Sequence, residues 1–442
     1  MKKSLKTAPL LFFLAGLSLA GQDINTLISR EVNASLTFAE SMYIDLHQNP
    51  ELSFQEFRTA SKMAEELRKL GFDVTTGVGG NGVVGVMKNG GGPVIMLRTD
   101  MDALPVREAT GLAFASNVTV IDMNGTETPV MHACGHDLHM TVWWGTLNAL
   151  VSLRNKWKGT VVAVAQPAEE RSGGSEQMID DGLYTRFPKP DYALAYHVAS
   201  DMPAGTIGYR EGPIFAGVTS LDVKIFGVGG HGAMPHKTID PIVLSSRLIL
   251  DYQTIVSREI NPVSPAVISV GSIHGGIRHN IIPSEVDLQI TVRFFSDEVR
   301  EQIISAIQRI SRGVAISAGL NEGLLPRVTF QDDFTPPVEN DPELVTRVIS
   351  SMGSIAGRQN VIKVDPATVA EDFGKYGRTA ENVKIGLFWL GGVNTSKYQE
   401  SSSKSLPLPA LHSEFFYPDF RPAYVTGASA MSRAIIDLLQ AK

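Results

Sequence analysis

The densest group of reactive side chains lies in the segment Met131-His132-Ala133-Cys134-Gly135-His136-Asp137-Leu138-His139. It places three imidazoles, one thiol and one carboxylate within nine residues, which a hydrophobic core does not require. In an extended or turn segment, side chains two positions apart share a face, so Cys134 and His136 can reach one metal ion. A thiolate and an imidazole suit zinc, manganese and similar divalent ions. The spacing therefore predicts a metal-binding pair, although any one of these histidines alone is more often structural.

A second group is the pair Glu169 and Glu170, which follows the apolar run at 160–165. Ligand sites in α/β sheets lie at the carboxyl ends of strands. Neighbouring residues of an extended chain point to opposite sides, so one glutamate can bind metal while the other carries a proton. The alternative is a solvated helix start, where the helix dipole favours acidic residues. His197 and His412 also follow apolar segments, but each is a weak signal alone.

Other catalytic designs fit less well. No Gly-x-Ser-x-Gly elbow is present, and its best substitute, Ser175, lies in an expected loop. A papain-like nucleophile needs a histidine distant in sequence, whereas His136 stands two residues from Cys134. The glycine-rich segment at 229–236 lacks the Lys-Ser/Thr of a phosphate-binding loop. Metal-assisted hydrolysis is therefore the best-supported chemistry.

The elements expected to position these residues alternate between helix and strand. We predict helix over 23–70, ending at Gly71, and a hairpin of two strands, 83–87 and 94–98, that leads to Asp100. A helix over 136–153 precedes a buried strand at 160–165. The Ser-, Lys- and Pro-rich segment 396–409 is predicted to be a loop. This alternation indicates an α/β layered sheet.

Residues 217–330 have a different pattern, which predicts a separate unit. The expected order is strand 217–228, helix 240–258, strand 265–273, strand 284–295, helix 297–318 and strand 325–330. This β-α-β-β-α-β order can form a compact domain by itself. A chain of 442 residues exceeds the size of one hydrophobic core, which also favours two domains.

Composition and charge narrow the class of protein. A content of 43% apolar and 19% charged residues is typical of a globular chain rather than a disordered one. The net charge of -7, without basic runs, disfavours nucleic acid as a partner. Residues 1–20 combine early lysines, a short apolar run and a small-x-small site, which predicts a signal peptide, export to the periplasm or medium and no stable membrane anchor. Cys134 is the only cysteine, so it forms no disulfide within the chain.

Seven ordered blocks together resemble the amidohydrolase branch of the peptidase family that contains aminoacylases and carboxypeptidase-G-type enzymes, including hippurate hydrolase and indoleacetyl-amino acid hydrolases. They span most of the chain after the signal: 98–105, 132–139, 167–170, 230–236, 280–283, 371–373 and 411–413. The resemblance implies an α/β catalytic domain with a mixed central sheet flanked by helices, plus an inserted α+β ferredoxin-like domain for lid and dimer contacts. The implied bounds are 21–214 with 332–442 for the catalytic domain and 215–331 for the inserted domain.

Residue by residue, the resemblance implies that Glu169 is the general base and acid. His231 matches a lid histidine that polarises the substrate carbonyl, and Asn280 matches a lid residue near the substrate. Asp102 is implied to orient a ligand, whereas the role of Asp100 stays open between ligand support and structure. The implied metal ligands are Cys134, His136, Glu170, His197 and His412.

The implied activity is cleavage of N-acyl or N-aroyl amino acids by two divalent ions per subunit, with manganese or zinc expected and cobalt or nickel as further candidates. The substrate would be a small N-acyl amino acid or a short peptide, and the implied assembly is a homodimer through the inserted domain. A dipeptidase or metallocarboxypeptidase of the same family is the main alternative, and a non-catalytic binding protein on this fold is a remote one. Glu414 stands where proline is common in this branch, which leaves the substrate preference open.

Overall fold

The computed structural model describes residues 23–331 and 334–440. The predicted signal peptide lies outside these residues. Ten α-helices occur in the described part: α1 Ile24–Gln48, α2 Phe57–Lys69, α3 His136–Ser152, α4 Gly174–Asp180, α5 Leu183–Arg186, α6 Pro241–Thr254, α7 Asp297–Ser317, α8 Pro342–Ala356, α9 Thr395–Lys404 and α10 Phe420–Gln440. No helix among the described residues is long and apolar enough to cross a membrane.

The strands of the same ranges are numbered in chain order. They are β1 Asp73–Val78, β2 Gly82–Asn89, β3 Val94–Asp100, β4 Thr119–Ile121, β5 Glu127–Pro129, β6 Gly159–Gln166, β7 Tyr192–Pro203, β8 Ile207–Tyr209, β9 Gly212–Phe215, β10 Gly217–Phe226, β11 Gly230–His231, β12 Ala266–His274, β13 Ile281–Ile282, β14 Glu285–Phe294, β15 Arg327–Phe330, β16 Val338–Asn340, β17 Val361–Lys363 and β18 Lys384–Val393.

The larger sheet is mixed and has the strand order β1-β2-β6-β3-β7-β18-β8-β17. The central strands β6, β3, β7 and β18 are parallel, whereas β1, β2 and β6 pair in antiparallel fashion. Every residue of β6 is buried, as expected for a strand covered on both faces. Helices α1, α3, α8 and α10 pack together on one face, while α4 and α5 belong to the opposite side. The predicted mixed sheet flanked by helices is confirmed.

The predicted hairpin of β2 and β3 is wrong. β6 lies between these two strands and pairs with both of them, antiparallel to β2 and parallel to β3. The turn-rich segment between β2 and β3 is therefore a connection over the end of β6, and backbone N–H of Thr160 donates to the carbonyl of Pro93 there. A turn signal predicts where a strand stops, but the choice of partner depends on long-range packing.

The second sheet has the order β12-β14-β10-β15 and is antiparallel throughout. Together with α6 and α7 it forms what we call the βαββαβ unit, residues 217–330. The unit has its own hydrophobic core, in which Leu248, Leu288 and Ile307 are completely buried. Its strand and helix order is the one predicted. The short strands β11 and β13 pair with each other beside this sheet and carry the segment around His231.

The predicted loop over 396–409 is partly wrong, because residues 395–404 form α9. The Asn394 side chain accepts hydrogen bonds from the backbone N–H groups of Ser396 and Lys397 and so caps the helix. Asparagine at this position is among the strongest helix-start signals. The polar composition of the segment reflects a solvent-exposed helix, and only the part from Ser405 onward is loop.

Candidate metal centre

Cys134 and His136 lie on a tight turn that leads into α3. Gly135 between them has a φ of +75°, and a Cβ atom there would stand 2.6 Å from Cγ1 of Val198. His136 is the first residue of α3, and its Nδ1–H donates to the backbone carbonyl of Asp102 at 2.8 Å. In the neutral ring this bond places the proton on Nδ1 and the lone pair on Nε2, and Nε2 is buried without a hydrogen-bond partner among the described residues.

Glu169 and Glu170 follow β6 on a short 3-10 turn, Glu169–Arg171, not on extended chain. The predicted alternation of their side chains is therefore wrong in its geometry. The left-handed backbone of Ala168, with φ of +48°, turns both carboxylates toward the same imidazole. The Nε2 atom of His136 lies 3.9 Å from Oε2 of Glu169 and 3.8 Å from Oε1 of Glu170.

His197 and His412 complete the group from two other segments. His197 lies in β7, where its Nδ1–H donates to the carbonyl of Val198, and its Nε2 stands 3.5 Å from the Cys134 sulfur. His412 has a φ of +67°, and its backbone N–H donates to the carbonyl of Ala133 at 2.9 Å. Its Nε2 stands 3.5 Å from Oε1 of Glu170. The structure thus brings together all five residues that the resemblance implied as ligands.

The five side chains form two overlapping sets of donor atoms. Within each set the possible ligand atoms lie within 4.8 Å of one another: Cys134, His136 and His197 in one, and Cys134, Glu170 and His412 in the other. Cys134 belongs to both sets, as a bridging or intermediate thiolate would require. Oε1 of Glu170, like Nε2 of His136, is buried without a hydrogen-bond partner among the described residues. Nε2 of the neutral His136 ring and Oε1 of ionised Glu170 are both acceptors, which fits a cation between them, and the mixture of sulfur, nitrogen and oxygen donors fits a divalent metal.

The pKa shifts of these side chains in the metal-free protein also favour a cation-binding site. Burial raises the pKa of the Cys134 thiol well above its usual value, and the nearby Glu170 and Glu169 raise it further. Burial likewise raises the pKa of Glu170 to about 7. Burial lowers the pKa of His136, but Asp100 and Asp102 outweigh it and raise the value to about 10. A bound divalent cation would stabilise the deprotonated thiolate, carboxylate and imidazole that this surplus of negative charge opposes.

Asp100 supports the cluster instead of joining it. Its Oδ1 accepts from Nδ1–H of His139 at 2.7 Å, and its Oδ2 accepts from Arg98 at 2.6 Å. Nε2 of His139 accepts a hydrogen bond of 2.7 Å from the backbone N–H of Val198, so both ring nitrogens of His139 form hydrogen bonds. Asp100, His136 and His139 also place possible ligand atoms within 4.8 Å, but these hydrogen bonds already occupy Asp100 and His139. Both carboxylate oxygens of Asp100 are thus engaged by protein donors.

Arg98 joins Asp100 to a second buried pair of carboxylates. Its guanidinium lies 3.0 Å from Oε1 of Glu371 and 3.2 Å from Oδ1 of Asp372. Glu371 and Asp372 also stand within 4.8 Å of Glu169. From the sequence, Arg98 and Glu371 are only parts of two blocks that carry the family resemblance, because nothing in the local pattern predicts that they meet. Burial raises the pKa of Glu169 well above its usual value, and the charge of Glu371 raises it further.

The donor cluster lies at one end of a cavity of about 510 Å³ between the large sheet and the βαββαβ unit. Ser220, Thr291 and Arg293 line it from β10 and β14, and Arg171 lines it beside the glutamates. Sequence reasoning did not single out either arginine. It did single out His231 and Asn280, but neither lines this cavity. Both are exposed, and the backbone N–H of Gly232 joins their segments by donating to the carbonyl of Asn280.

Comparison with known proteins relates this chain to one peptidase family. A family model described as peptidase family M20/M25/M40 matches residues 96–413. Thermostable carboxypeptidase 2 of Saccharolobus solfataricus is 37% identical over 366 residues, covering 81% of this chain and 88% of that protein. N-acetyldiaminopimelate deacetylase of Leuconostoc citreum is 36% identical over 372 residues, covering 83% and 91%.

Among solved structures, a dinuclear metal binding peptidase of the M20 family from Bacillus subtilis superposes with a TM-score of 0.73 at 29% identity, covering 92% of this chain and 99% of that one. The family model matches most of the chain, and the relatives are named as hydrolases of amide bonds. The chain belongs to peptidase family M20/M25/M40 and is a hydrolase that acts on amide bonds.

Proposed function

We propose that this chain is a di-metal amidohydrolase that cleaves N-acyl or N-aroyl amino acids into a carboxylic acid and a free amino acid. The observation that carries the proposal is the cluster of five donor side chains at the end of a cavity, with Glu169 directly beside it. The proposed ligands are Cys134, His136, Glu170, His197 and His412. The native ions are proposed to be manganese or zinc, with cobalt or nickel as substitutes.

Glu169 is the proposed proton carrier. When bound, divalent ions supply Lewis-acid activation of water and polarisation of the amide carbonyl. Glu169 takes a proton from the attacking water and returns it to the leaving amine. Its backbone N–H donates to Asp102 at 3.1 Å, which fixes the segment while the carboxylate faces the cavity.

The cavity walls also supply a partner for the substrate's carboxylate. Arg171 and Arg293 both line the cavity, and a guanidinium matches a carboxylate geometrically. The apolar lining from Val218, Val369 and Leu411 suits the uncharged part of an acyl amino acid. The relative named as a deacetylase favours this assignment.

A dipeptidase or carboxypeptidase is the second candidate, and the relative named as a carboxypeptidase favours it. The same donor cluster serves both reactions, because both break an amide bond next to a carboxylate. Hydrolysis of hippurate, N-acetyl amino acids and dipeptides by the metal-loaded protein separates the two. Faster turnover of the N-acyl compounds supports the proposal, and turnover of dipeptides alone overturns it.

His231 and Asn280 are proposed to act after movement of the βαββαβ unit. Both are exposed and outside the cavity lining, so they meet the substrate only by closure of the unit or by contribution from a second subunit. The proposed assembly is a homodimer through this unit. Export, which rests on residues 1–20, is part of the same proposal and is tested by finding the mature amino terminus after secretion.

The Asp100→Asn variant tests how the cluster is held. The Asn side chain has one acceptor oxygen, so it cannot accept hydrogen bonds from both His139 and Arg98 as the carboxylate does. His139 is then held less firmly, and so is the backbone of Val198, which donates to His139 and follows the proposed ligand His197. Loss of such outer partners typically lowers metal affinity about 10–100-fold. Competition with a chromophoric chelator measures the change, and Asp122→Asn, at an exposed turn, is the control. An unchanged affinity in a folded Asp100→Asn protein contradicts the support role.

The Glu169→Gln variant tests the proton carrier. Glutamine keeps the size and the backbone hydrogen bonds but cannot take a proton, and we expect kcat to fall about 10²–10⁴-fold while metal content stays the same. Steady-state kinetics with metal analysis checks both values, and Glu176→Gln, an exposed glutamate of α4, is the matched control. Near-normal kcat in Glu169→Gln would remove this residue from the chemistry.

The His231→Ala variant tests the closure proposal. If His231 donates to the developing oxyanion, its loss lowers kcat about 10²–10³-fold without changing metal content. His236→Ala is the control, since His236 is an exposed histidine of the same loop. Equal kcat values for the two variants would show that His231 does not reach the substrate.

A further inference from the structure

A buried glutamate outside the donor cluster contacts the turn that carries Glu169. The side chain of Glu56 has no exposed surface. Its Oε1 accepts hydrogen bonds from the backbone N–H of Ala168 at 2.8 Å and of Phe54 at 2.9 Å, and its Oε2 accepts one from Nδ2 of Asn81 at 3.0 Å. The proposed chemistry of water, Glu169 and the metal ligands does not use this carboxylate.

The position of Glu56 in the chain is that of a helix cap, but its hydrogen bonds go elsewhere. Glu56 immediately precedes α2, where a side-chain acceptor commonly receives the first backbone N–H groups of the helix. Glu56 makes no such bond. Glu51 does so instead, since its carboxylate accepts the backbone N–H of Arg58 at 3.0 Å and of Thr59 at 2.7 Å. The carboxylate of Glu56 is therefore available to the turn after β6.

The bond to Phe54 brings a second contact to the same turn. Phe54 has a φ of +66°, an uncommon conformation for a bulky residue, and Glu56 holds its backbone N–H there. The ring of Phe54 lies against Gly173, because a Cβ atom on Gly173 would stand 3.1 Å from the Cζ atom of Phe54. The backbone N–H groups of Gly173 and Gly174 both donate to the carbonyl of Ala168 at 3.3 Å. Glu56 therefore supports both ends of the turn, Ala168 directly and Gly173 through Phe54.

Two carboxylates hold the two peptide groups on either side of the Ala168 Cα atom. Glu56 accepts the N–H of the peptide group before it, and Asp102 accepts the N–H of Glu169, in the peptide group after it, at 3.1 Å. Ala168 has a φ of +48°, in the left-handed region that disfavours residues with a Cβ atom. If the bond to Glu56 is lost, rotation of the Ala168 backbone relieves this strain and moves the Glu169 carboxylate.

The charge of Glu56 can be separated from its role as an acceptor. Burial raises the pKa of Glu56 to about 7, and the charge of Asp102 raises it further, while the hydrogen bonds from Asn81 and Ala168 act in the opposite direction. Glutamine would keep an acceptor Oε1 without the charge, and methionine has a similar length without an acceptor. The variants Glu56→Gln and Glu56→Met therefore differ in the hydrogen bonds to the turn and not in size or net charge.

We propose that Glu56 is a positioning residue for Glu169, because it holds the backbone of Ala168 so that the Glu169 carboxylate faces the donor cluster. This inference rests on the proposed function, in which Glu169 carries the proton. Glu170 is a proposed ligand and is held by a bound ion, whereas Glu169 is not. Glu56 therefore affects the chemical step more than metal binding.

The first test measures kcat, KM and metal content of the metal-loaded variants. Glu56→Met should lower kcat about 10²-fold, as displacement of a catalytic group by about 1 Å does, with KM and metal content unchanged. Glu56→Gln should retain more of kcat, because its oxygen still accepts the N–H of Ala168. Glu66→Met is the control, since Glu66 is a buried glutamate of α2 that pairs with Lys69. Equal kcat values for Glu56→Met and Glu66→Met, or for Glu56→Met and Glu56→Gln, overturn the proposal.

A double-mutant cycle shows whether Glu56 acts through Glu169. In the Glu169→Gln background, Glu56→Met should lower kcat by less than about two-fold, because the effects of residues that act through one another do not add. A general loosening of the fold would instead give the same loss in both backgrounds. That additive result overturns the proposal.

Hydrogen exchange, followed by mass spectrometry on peptides that span 168–174, tests the turn without turnover. The N–H groups of Gly173 and Gly174 are not bonded to Glu56 itself, yet they should exchange faster in Glu56→Met than in the wild type or in Glu66→Met. Unchanged exchange in a folded Glu56→Met protein overturns the inference. Near-normal kcat in Glu169→Gln overturns the proton-carrier role in the proposed function, and the exchange rates then decide alone whether Glu56 holds the turn.

Discussion

The carboxylate and carbonyl of Asp102 link two of the segments that carry the donor atoms to the end of β3. The carboxylate accepts the backbone N–H of Glu169 at 3.1 Å and of Glu170 at 3.0 Å, while the backbone carbonyl accepts Nδ1–H of His136. Ser53 from the loop after α1 donates to the same carboxylate at 2.6 Å. Burial would raise the pKa of Asp102, but these donors outweigh it and hold the pKa below its ordinary value. The turn that carries Cys134 and His136, the turn that carries Glu169 and Glu170, and the end of β3 are therefore fixed relative to one another through this one residue.

A second constraint is the concentration of negative charge behind the cluster. Five carboxylates with at most 7% exposure lie there, and the guanidinium of Arg98 is buried among them: Asp100, Asp102, Glu169, Glu371 and Asp372. Removing one partner of a buried ion pair typically costs about 3–5 kcal/mol, because the remaining charge is left uncompensated. The arrangement is therefore rigid on the side of Arg98. On the side of Cys134 and Glu170 the facing groups are imidazoles, since Nε2 of His136 lies 3.8 Å and Nε2 of His412 lies 3.5 Å from Oε1 of Glu170. A bound divalent cation would offset the negative charge of the thiolate and the carboxylate there.

The sequence predicted the parts of this site that depend on residue type and short spacing. Cys134 and His136 on one turn, and a glutamate pair after a buried strand, follow from periodicity and strand ends. The assignment of His197 and His412 came from the family resemblance, since nothing local distinguishes them from structural histidines. The strand and helix order of 217–330 was predictable because its periodicity alternates clearly and its core is local.

Features that depend on long-range pairing were missed. The residues of the turn between β2 and β3 do not indicate that β6 lies between those strands, so the sequence predicted a hairpin instead. The left-handed turn at Ala168 overrode the expected alternation of Glu169 and Glu170. The Arg98 network joins residues 273 positions apart, which no local pattern predicts.

The most direct test of whether Cys134 and its neighbouring donors would hold two metal ions is titration of the metal-free protein with Co²⁺, followed by absorption spectroscopy and metal analysis. A cobalt–thiolate site has a near-ultraviolet charge-transfer band that sites with only nitrogen and oxygen ligands lack. We predict two Co²⁺ per chain, a thiolate band in the wild type, and loss of that band in a folded Cys134→Ser protein. Uptake of two ions with no thiolate band in the wild type, or with a band unchanged in Cys134→Ser, would contradict it.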